Sequence, residues 1–124
     1  MTDKEKRKLL IDEFGQNTAD LVQITDSHLE ERVKKVGTAA EKIQDSGATP
    51  LLCEEMDTSY RKFLTSLQVR DGMAKLIDEE DFGGKPKLKP LIGEWDKSTS
   101  NSVEEKIAPA LAACTSIEPS VKPK

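Results

Sequence analysis

Residues 29–43 read LEERVKKVGTAAEKI, and their pattern constrains what the rest of the chain must supply. The apolar residues recur at intervals of four, three, four and three, which places them on one side of an α-helix; they are Leu29, Val33, Val36, Ala40 and Ile43. Charged residues fill the opposite side. Such a helix needs a second element to cover its apolar stripe.

A second apolar stripe follows after a short link. Gly47 suits the left-handed position after a helix, Thr49 can cap the next helix, and Pro50 fits its first turn. The core face of this next helix is formed by Leu52, Met56, Tyr60, Phe63, Leu64 and Leu67. Because the link is short, we expect an antiparallel hairpin. Its predicted contacts join Val33, Val36, Ala40 and Ile43 to Leu52, Met56, Phe63 and Leu67.

The chain before residue 29 contains one clear helix start and one clear stop. Thr2 and Glu5 form a capping-box pattern, and Gly15 can end a helix, which predicts a first helix over about residues 3–14. Asn17 is a candidate cap for a second helix that begins near residue 18.

The apolar stripe of the second helix is interrupted at residues 25–28, which read TDSH. No Gly or Pro stands there, so we expect a continuous helix to about residue 45. Ser27 and Glu30 form another capping-box pattern, and a fresh helix start near residue 28 is the alternative.

The third helix is expected to continue through Gly72 to Glu80, because a single glycine costs a helix only about 1 kcal/mol. Acidic residues at positions 78–81 lie at its C-terminus, where the helix dipole disfavours them, so this end is expected to fray.

Residues 82–90 contain two glycines and two prolines and are expected to form a loop. A short helix follows from about Pro90, with Trp95 packed on the bundle. Residues 97–101, KSTSN, suggest a polar linker, and Ser102 with Glu105 suggests the start of a last helix that Pro109 kinks or delays.

These elements predict an all-α, antiparallel helical bundle of about four to five helices with a long central hairpin. Residues 1–114 are expected to form one domain, and residues 115–124 are expected to form a disordered, flexible tail. The 124 residues are 35% hydrophobic and 34% charged, a balance typical of thin helices around a modest core.

Charge and cysteine content narrow the classes of function. The net charge of −4 makes nucleic-acid binding unlikely, and no apolar run is long enough to span a membrane. The N-terminal sequence MTDKEKRKLL lacks the apolar core of a signal peptide, which suggests a cytoplasmic protein. Cys53 and Cys114 are expected to be reduced, with a disulfide between them as the alternative.

No residue pattern indicates catalysis, a metal or a cofactor, so we expect a protein that is not an enzyme. His28 is the one histidine, and a bundle metal site would require further ligands at helical spacing. Cys53 lies near a helix N-terminus, which can activate a thiol, but Glu54 and Glu55 oppose that effect.

The residues favoured for partner binding lie in and after the lysine-rich loop, which reads KPKLKP at residues 85–90. They are Lys85, Lys87, Lys89, Leu91, Ile92 and Trp95. The expected function is that of a non-catalytic interaction or adaptor subunit that binds a protein partner, as a monomer or small homo-oligomer. One alternative is an assembly component that self-associates through the heptad face as in a coiled coil. The other is weak nucleic-acid binding by the lysine loop.

Overall fold

The computed structural model describes residues 2–80 and 87–116, which form four helices. They are α1 (Asp3–Phe14), α2 (Gln16–Ser46), α3 (Pro50–Glu79) and α4 (Leu88–Ser116). Among these residues there is no strand. The prediction of an all-α helical bundle is confirmed.

Contacts between side chains fix the direction of each helix relative to its neighbours. Lys42 of α2 pairs with Glu55 of α3 across the hairpin, with 3.9 Å between Nζ and Oε1. Arg7 of α1 pairs with Asp20 near the start of α2, at 2.9 Å. Helices α1 and α2 are therefore antiparallel, and so are α2 and α3, as predicted for the latter pair.

Two of the predicted helix starts are formed by the residues that the sequence indicated. The hydroxyl of Thr2 accepts a hydrogen bond from the amide of Glu5, whose carboxylate accepts one from the amide of Thr2. The hydroxyl of Thr49 accepts a hydrogen bond from the amide of Leu52, and Pro50 occupies the first turn of α3. Each arrangement satisfies amide groups that have no partner within the helix.

The junction between α1 and α2 is a single residue, Gly15, with φ of 96°. Its amide donates to the carbonyl of Ile11, and its carbonyl accepts from the amide of Ala19. Gly15 therefore ends one helix and begins the next, and the positive φ explains the glycine. The prediction that Asn17 caps α2 is wrong, because α2 already begins at Gln16.

Helix α2 is continuous through residues 25–28, and α3 is continuous through Gly72, as expected. The alternative start at Ser27 is not used. Helix α4 differs from expectation, because residues 97–101 are helical and Ser102 lies inside the helix. Pro109 lies inside this helix at an exposed position, so it does not delay the start of the helix. Of the predicted tail, Thr115 and Ser116 belong to α4, and residues 117–124 lie outside the described residues.

Buried positions explain why α4 does not break. Its buried residues follow helical spacing across the polar segment; they are Leu88, Ile92, Asp96, Val103, Ile107 and Ala110. Burial of this stripe outweighs the weak helix propensity of the serines and threonines between them. Ala110 is fully buried, whereas the adjacent Leu111 is 47% exposed.

The core consists of two apolar clusters. The larger one joins the predicted hairpin stripes of α2 and α3, except Leu64, with Val103, Ile107 and Ala110 of α4. Leu64 is 36% exposed, which corrects its assignment to the core face, because it lies about 100° around the helix from the buried Phe63. The smaller one joins α1 to the remaining helices through Leu10, Ala19, Val22, Ala74, Leu88 and Ile92. The heptad face of residues 29–43 is therefore covered within the chain and is not exposed to a second one.

The end of α3 is organised rather than frayed over its described residues. The carboxylate of Asp78 accepts hydrogen bonds from the amides of Leu88 and Lys89, at 2.6 and 2.9 Å. An acidic residue is unfavourable at the C-terminus of its own helix but favourable at the N-terminus of α4. The expectation of fraying considered only the first effect.

The two cysteines are bonded to each other, which corrects the expectation of reduced thiols. Cys53 lies in the first turn of α3 and Cys114 near the end of α4, with 5.8 Å between their Cα atoms. Two separate helices were expected in place of α4, so the predicted elements had no common register that would bring these residues together.

Replacing both cysteines with serine should lower the free energy of unfolding by about 2–4 kcal/mol, because the disulfide restricts the unfolded chain over a separation of 61 residues. Urea denaturation with and without dithiothreitol measures this. Reductant should weaken the wild-type chain and leave the serine variant unchanged. Two thiols that alkylate fully without reductant would contradict the assignment.

Candidate functional site

A layer of charged and polar side chains separates the two apolar clusters. At its centre is Arg70 of α3, whose side chain is only 2% exposed. Its Nε lies 3.0 Å from the carboxylate of Asp96 on α4. Its Nη1 lies 2.8 Å from the hydroxyl of Thr25 and 2.5 Å from the carboxylate of Asp26, both on α2. We call these four residues the Arg70 layer.

The layer explains the break in the stripe of α2. Thr25 and Asp26 are polar because they face Arg70, and Thr25 also donates a hydrogen bond to the carbonyl of Val22. Arg70 and Asp96 were not among the predicted site residues, since isolated charged residues are usually solvated. Periodicity carried the signal: Arg70 follows Phe63 by seven residues, and Asp96 precedes Val103 by seven.

Burial and charge act in opposite directions within the layer. Burial raises the pKa of Asp96, and this effect outweighs the hydrogen bond and the charge of Arg70, which lower the pKa. Two smaller effects oppose each other: the charge of Asp26 raises the pKa of Asp96, and the charge of Lys6 lowers it. Burial lowers the pKa of Arg70, but its contacts with Asp96 and Asp26 together have the larger effect. The pKa of Arg70 therefore lies above its ordinary value. Arg70 therefore stays charged, while desolvation is only partly offset at Asp96.

A cleft of about 830 Å³ opens beside the Arg70 layer, between α1, α2 and α4. This α1 cleft has Arg70 and Asp96 among its lining residues. Its apolar lining consists mainly of Leu10, Leu29, Val33 and Trp95, and its basic lining of Lys4, Lys6, Arg7 and Lys34. Its volume falls in the range typical of ligand-binding sites, about 300–1,000 Å³.

Trp95 is the aromatic side chain in the lining of the cleft. It is half-buried against the smaller core cluster, and Nζ of Lys6 lies 5.0 Å from its ring centroid. This cation–π contact joins α1 to α4. Arg7 is held by the side chains of Asp20 and Gln23 on α2. The wall formed by α1 is thus attached to both neighbouring helices.

The residues predicted to bind a partner do not all lie together. Trp95 lines the cleft, and Leu91 packs half-buried against the smaller cluster. Lys89 faces α3, with its Nζ 3.9 Å from the carboxylate of Asp71, and Lys87 lies near the carbonyl of Asp78.

Two members of the predicted site require separate comment. Ile92 is only 1% exposed and belongs to the smaller core cluster, so it cannot contact a partner unless the core opens. Lys85 lies outside the described residues.

Residues with potential for catalysis are either exposed or already bonded. His28 is exposed on α2, and Cys53 is in the disulfide. Over residues 2–80 and 87–116, no group of histidine, cysteine and acidic side chains could hold a metal ion. In the same part of the chain, every buried side-chain nitrogen or oxygen has a hydrogen-bond partner. None of the described helices combines the length and apolar character needed to cross a membrane.

Asp96 should titrate above its ordinary pKa of 3.8, because its burial disfavours the charged carboxylate. The folded chain then binds this proton more tightly than the unfolded chain. The contribution of Asp96 to stability should therefore fall as the pH rises from about 3.8 through the folded-state pKa. Carbon-13 NMR of the carboxyl group measures the titration. In the Arg70→Met variant the pKa should rise further, whereas titration below 3.8 would contradict the assignment.

Comparison with known proteins gives no relative for this arrangement: no family model, curated protein or solved structure matches the chain. A functional interpretation therefore depends on the geometry of the α1 cleft and of the exposed helix faces.

Proposed function

We propose that the chain is a non-catalytic interaction subunit that binds an amphipathic, acidic segment of a protein partner in the α1 cleft. The observation that carries this proposal is the cleft itself, where a half-buried tryptophan and apolar side chains lie among lysines. Aromatic anchors in such settings commonly dominate the energy of protein binding.

Charge supports an acidic partner segment. The lining lysines Lys4, Lys6 and Lys34 form no ion pair with the described residues, and neither do the acidic Asp3 and Glu30. Asp26 and Asp96 are already paired with Arg70. A partner therefore meets a slight excess of positive charge around an apolar floor, which favours glutamate or aspartate beside leucine or phenylalanine.

The Arg70 layer supports a binding role rather than a catalytic one. Its charged groups are occupied by one another, and a general base or nucleophile should instead reach a substrate atom. In this proposal the layer holds α2, α3 and α4 in the register that shapes the cleft. Lys87, Lys89 and Leu91 extend the contact along α4 as a further prediction.

The disulfide bears on where the protein acts. The sequence led us to expect a cytoplasmic protein, but disulfides persist mainly in oxidising compartments. The bond between Cys53 and Cys114 therefore supports a site of action outside the reducing cytoplasm.

Trp95 is the one tryptophan of the chain, so its fluorescence reports on the cleft directly. Selection from a displayed random peptide library should enrich acidic peptides with apolar residues, and these should shift the Trp95 emission. Trp95→Ala should weaken their binding by at least about tenfold, because it removes the anchor.

Leu111→Ala is the matched control, since it truncates an exposed apolar residue elsewhere on α4 and should leave binding unchanged. Thermal melting followed by circular dichroism should show that both variants stay folded. Three results would overturn the proposal: enrichment of basic peptides, binding that ignores Trp95→Ala, or a shift of the Trp95 emission by oleate and by no peptide.

A further inference from the structure

The outer side of α3 carries a stripe that no described helix covers. Its members lie at intervals of three and four along one face, and all are exposed; they are Lys62, Thr65, Val69, Gly72, Leu76 and Glu79. We call this the α3 outer stripe. Val69 is 59% exposed and Leu76 is 64% exposed, and both lie on this one helix face.

Helix α2 extends this apolar surface. Ile24 lies about five turns before Lys42, so the two share one face of α2. Lys42 pairs with Glu55 of α3. Lys62 follows Glu55 by seven residues and Val69 follows it by fourteen, and this spacing places all three on about the same face of α3. The exposed Leu21 and Ile24 therefore lie beside the stripe, at the same end of the hairpin as Val69 and Leu76. Exposed apolar residues that lie together on one side of a protein are candidates for an interaction surface.

The stripe is complementary to itself when it is reversed. A two-fold axis midway between Val69 and Gly72 places Val69 of one copy over Gly72 of the other. The same axis places Leu76 opposite Thr65 and Lys62 opposite Glu79. Each contact then occurs twice, as in any isologous interface.

The chemistry of these pairings is favourable. A Cβ atom added to Gly72 would meet nothing within 4 Å, so the space above it is open to a side chain from outside. Val69 of a second copy can fill that space, and the missing side chain lets the two helices approach closely. In the described part of the chain, Lys62 and Glu79 form no ion pair, so both are available to the other copy.

We propose that two copies of this chain pair antiparallel through the α3 outer stripe, with Val69 packed on Gly72 and Lys62 paired with Glu79. This surface differs from the heptad face, which is buried, and it leaves the α1 cleft open. The stripe spans about 26 Å of helix, so we expect a small interface and a dissociation constant of about micromolar or weaker.

Sedimentation velocity between about 1 µM and 1 mM tests the pairing. The wild-type chain should pass from monomer to dimer over this range. Gly72→Leu should abolish the dimer, because the leucine side chain occupies the space for Val69 of the other copy. The same substitution should stabilise α3, because leucine has a higher helix propensity than glycine, so loss of the dimer would not reflect unfolding. Gly93→Leu is the matched control: Gly93 is an exposed helical glycine of α4 that also has open space above it, and the variant should dimerise like the wild type.

Charge exchange identifies the register. Lys62→Glu and Glu79→Lys should each weaken dimerisation by about tenfold, since each creates two repulsive contacts. The double variant, and an equimolar mixture of the two single variants, should recover wild-type affinity. A monomer at every concentration, an equal loss in Gly93→Leu, or no recovery on mixing would overturn the proposal.

Discussion

The burial of Arg70 is the constraint on which the arrangement of the long helices depends. A guanidinium that is 2% exposed must find acceptors, and the nearest are a carboxylate on α4 and a hydroxyl and a carboxylate on α2. Apolar burial is non-directional, whereas the contacts of Arg70 are specific to one register of the helices. A shift of one turn would leave a buried charge without its partner.

This constraint shapes both surfaces proposed for binding. The contacts of Arg70 turn the core stripe of α3 inward, which leaves the opposite stripe of that helix uncovered. They also hold Asp96 toward α3 while the adjacent Trp95 lies beside Lys6 of α1. The α1 cleft and the α3 outer stripe thus belong to different sides of one fixed core. Binding at one surface does not require the other to change.

Most of the fold could be predicted from the sequence, because local chemistry determined it. The capping box at Thr2 and the Thr49–Pro50 start required only neighbouring residues, and the hairpin stripes required only helical periodicity. The course of α4 could not be predicted in the same way. Its polar segment resembles a linker until Asp96 is recognised as a buried position, and that depends on Arg70 of another helix. For the same reason, the disulfide between Cys53 and Cys114 was expected only as the alternative to reduced thiols.

The candidate site was predictable only in part. Trp95 was identified because it follows the lysine-rich loop as a large apolar residue, whereas the lysines of α1 and α2 that surround it carry no local signal. Ile92 and Trp95 are three residues apart and seemed equivalent as anchors, yet one is buried in the core and the other lines the cleft. Only the packing of α1 distinguishes them.

The role of the Arg70 layer is tested most directly by comparing the stability of Arg70→Met with that of the double variant Arg70→Met, Asp96→Leu. If the ion pair fixes the register without adding net stability, the single substitution should lower the free energy of unfolding by about 3–5 kcal/mol, because it leaves Asp96 buried and unpaired. The double substitution should recover most of that loss. A double variant as unstable as the single one, in urea denaturation at neutral pH, would contradict this role.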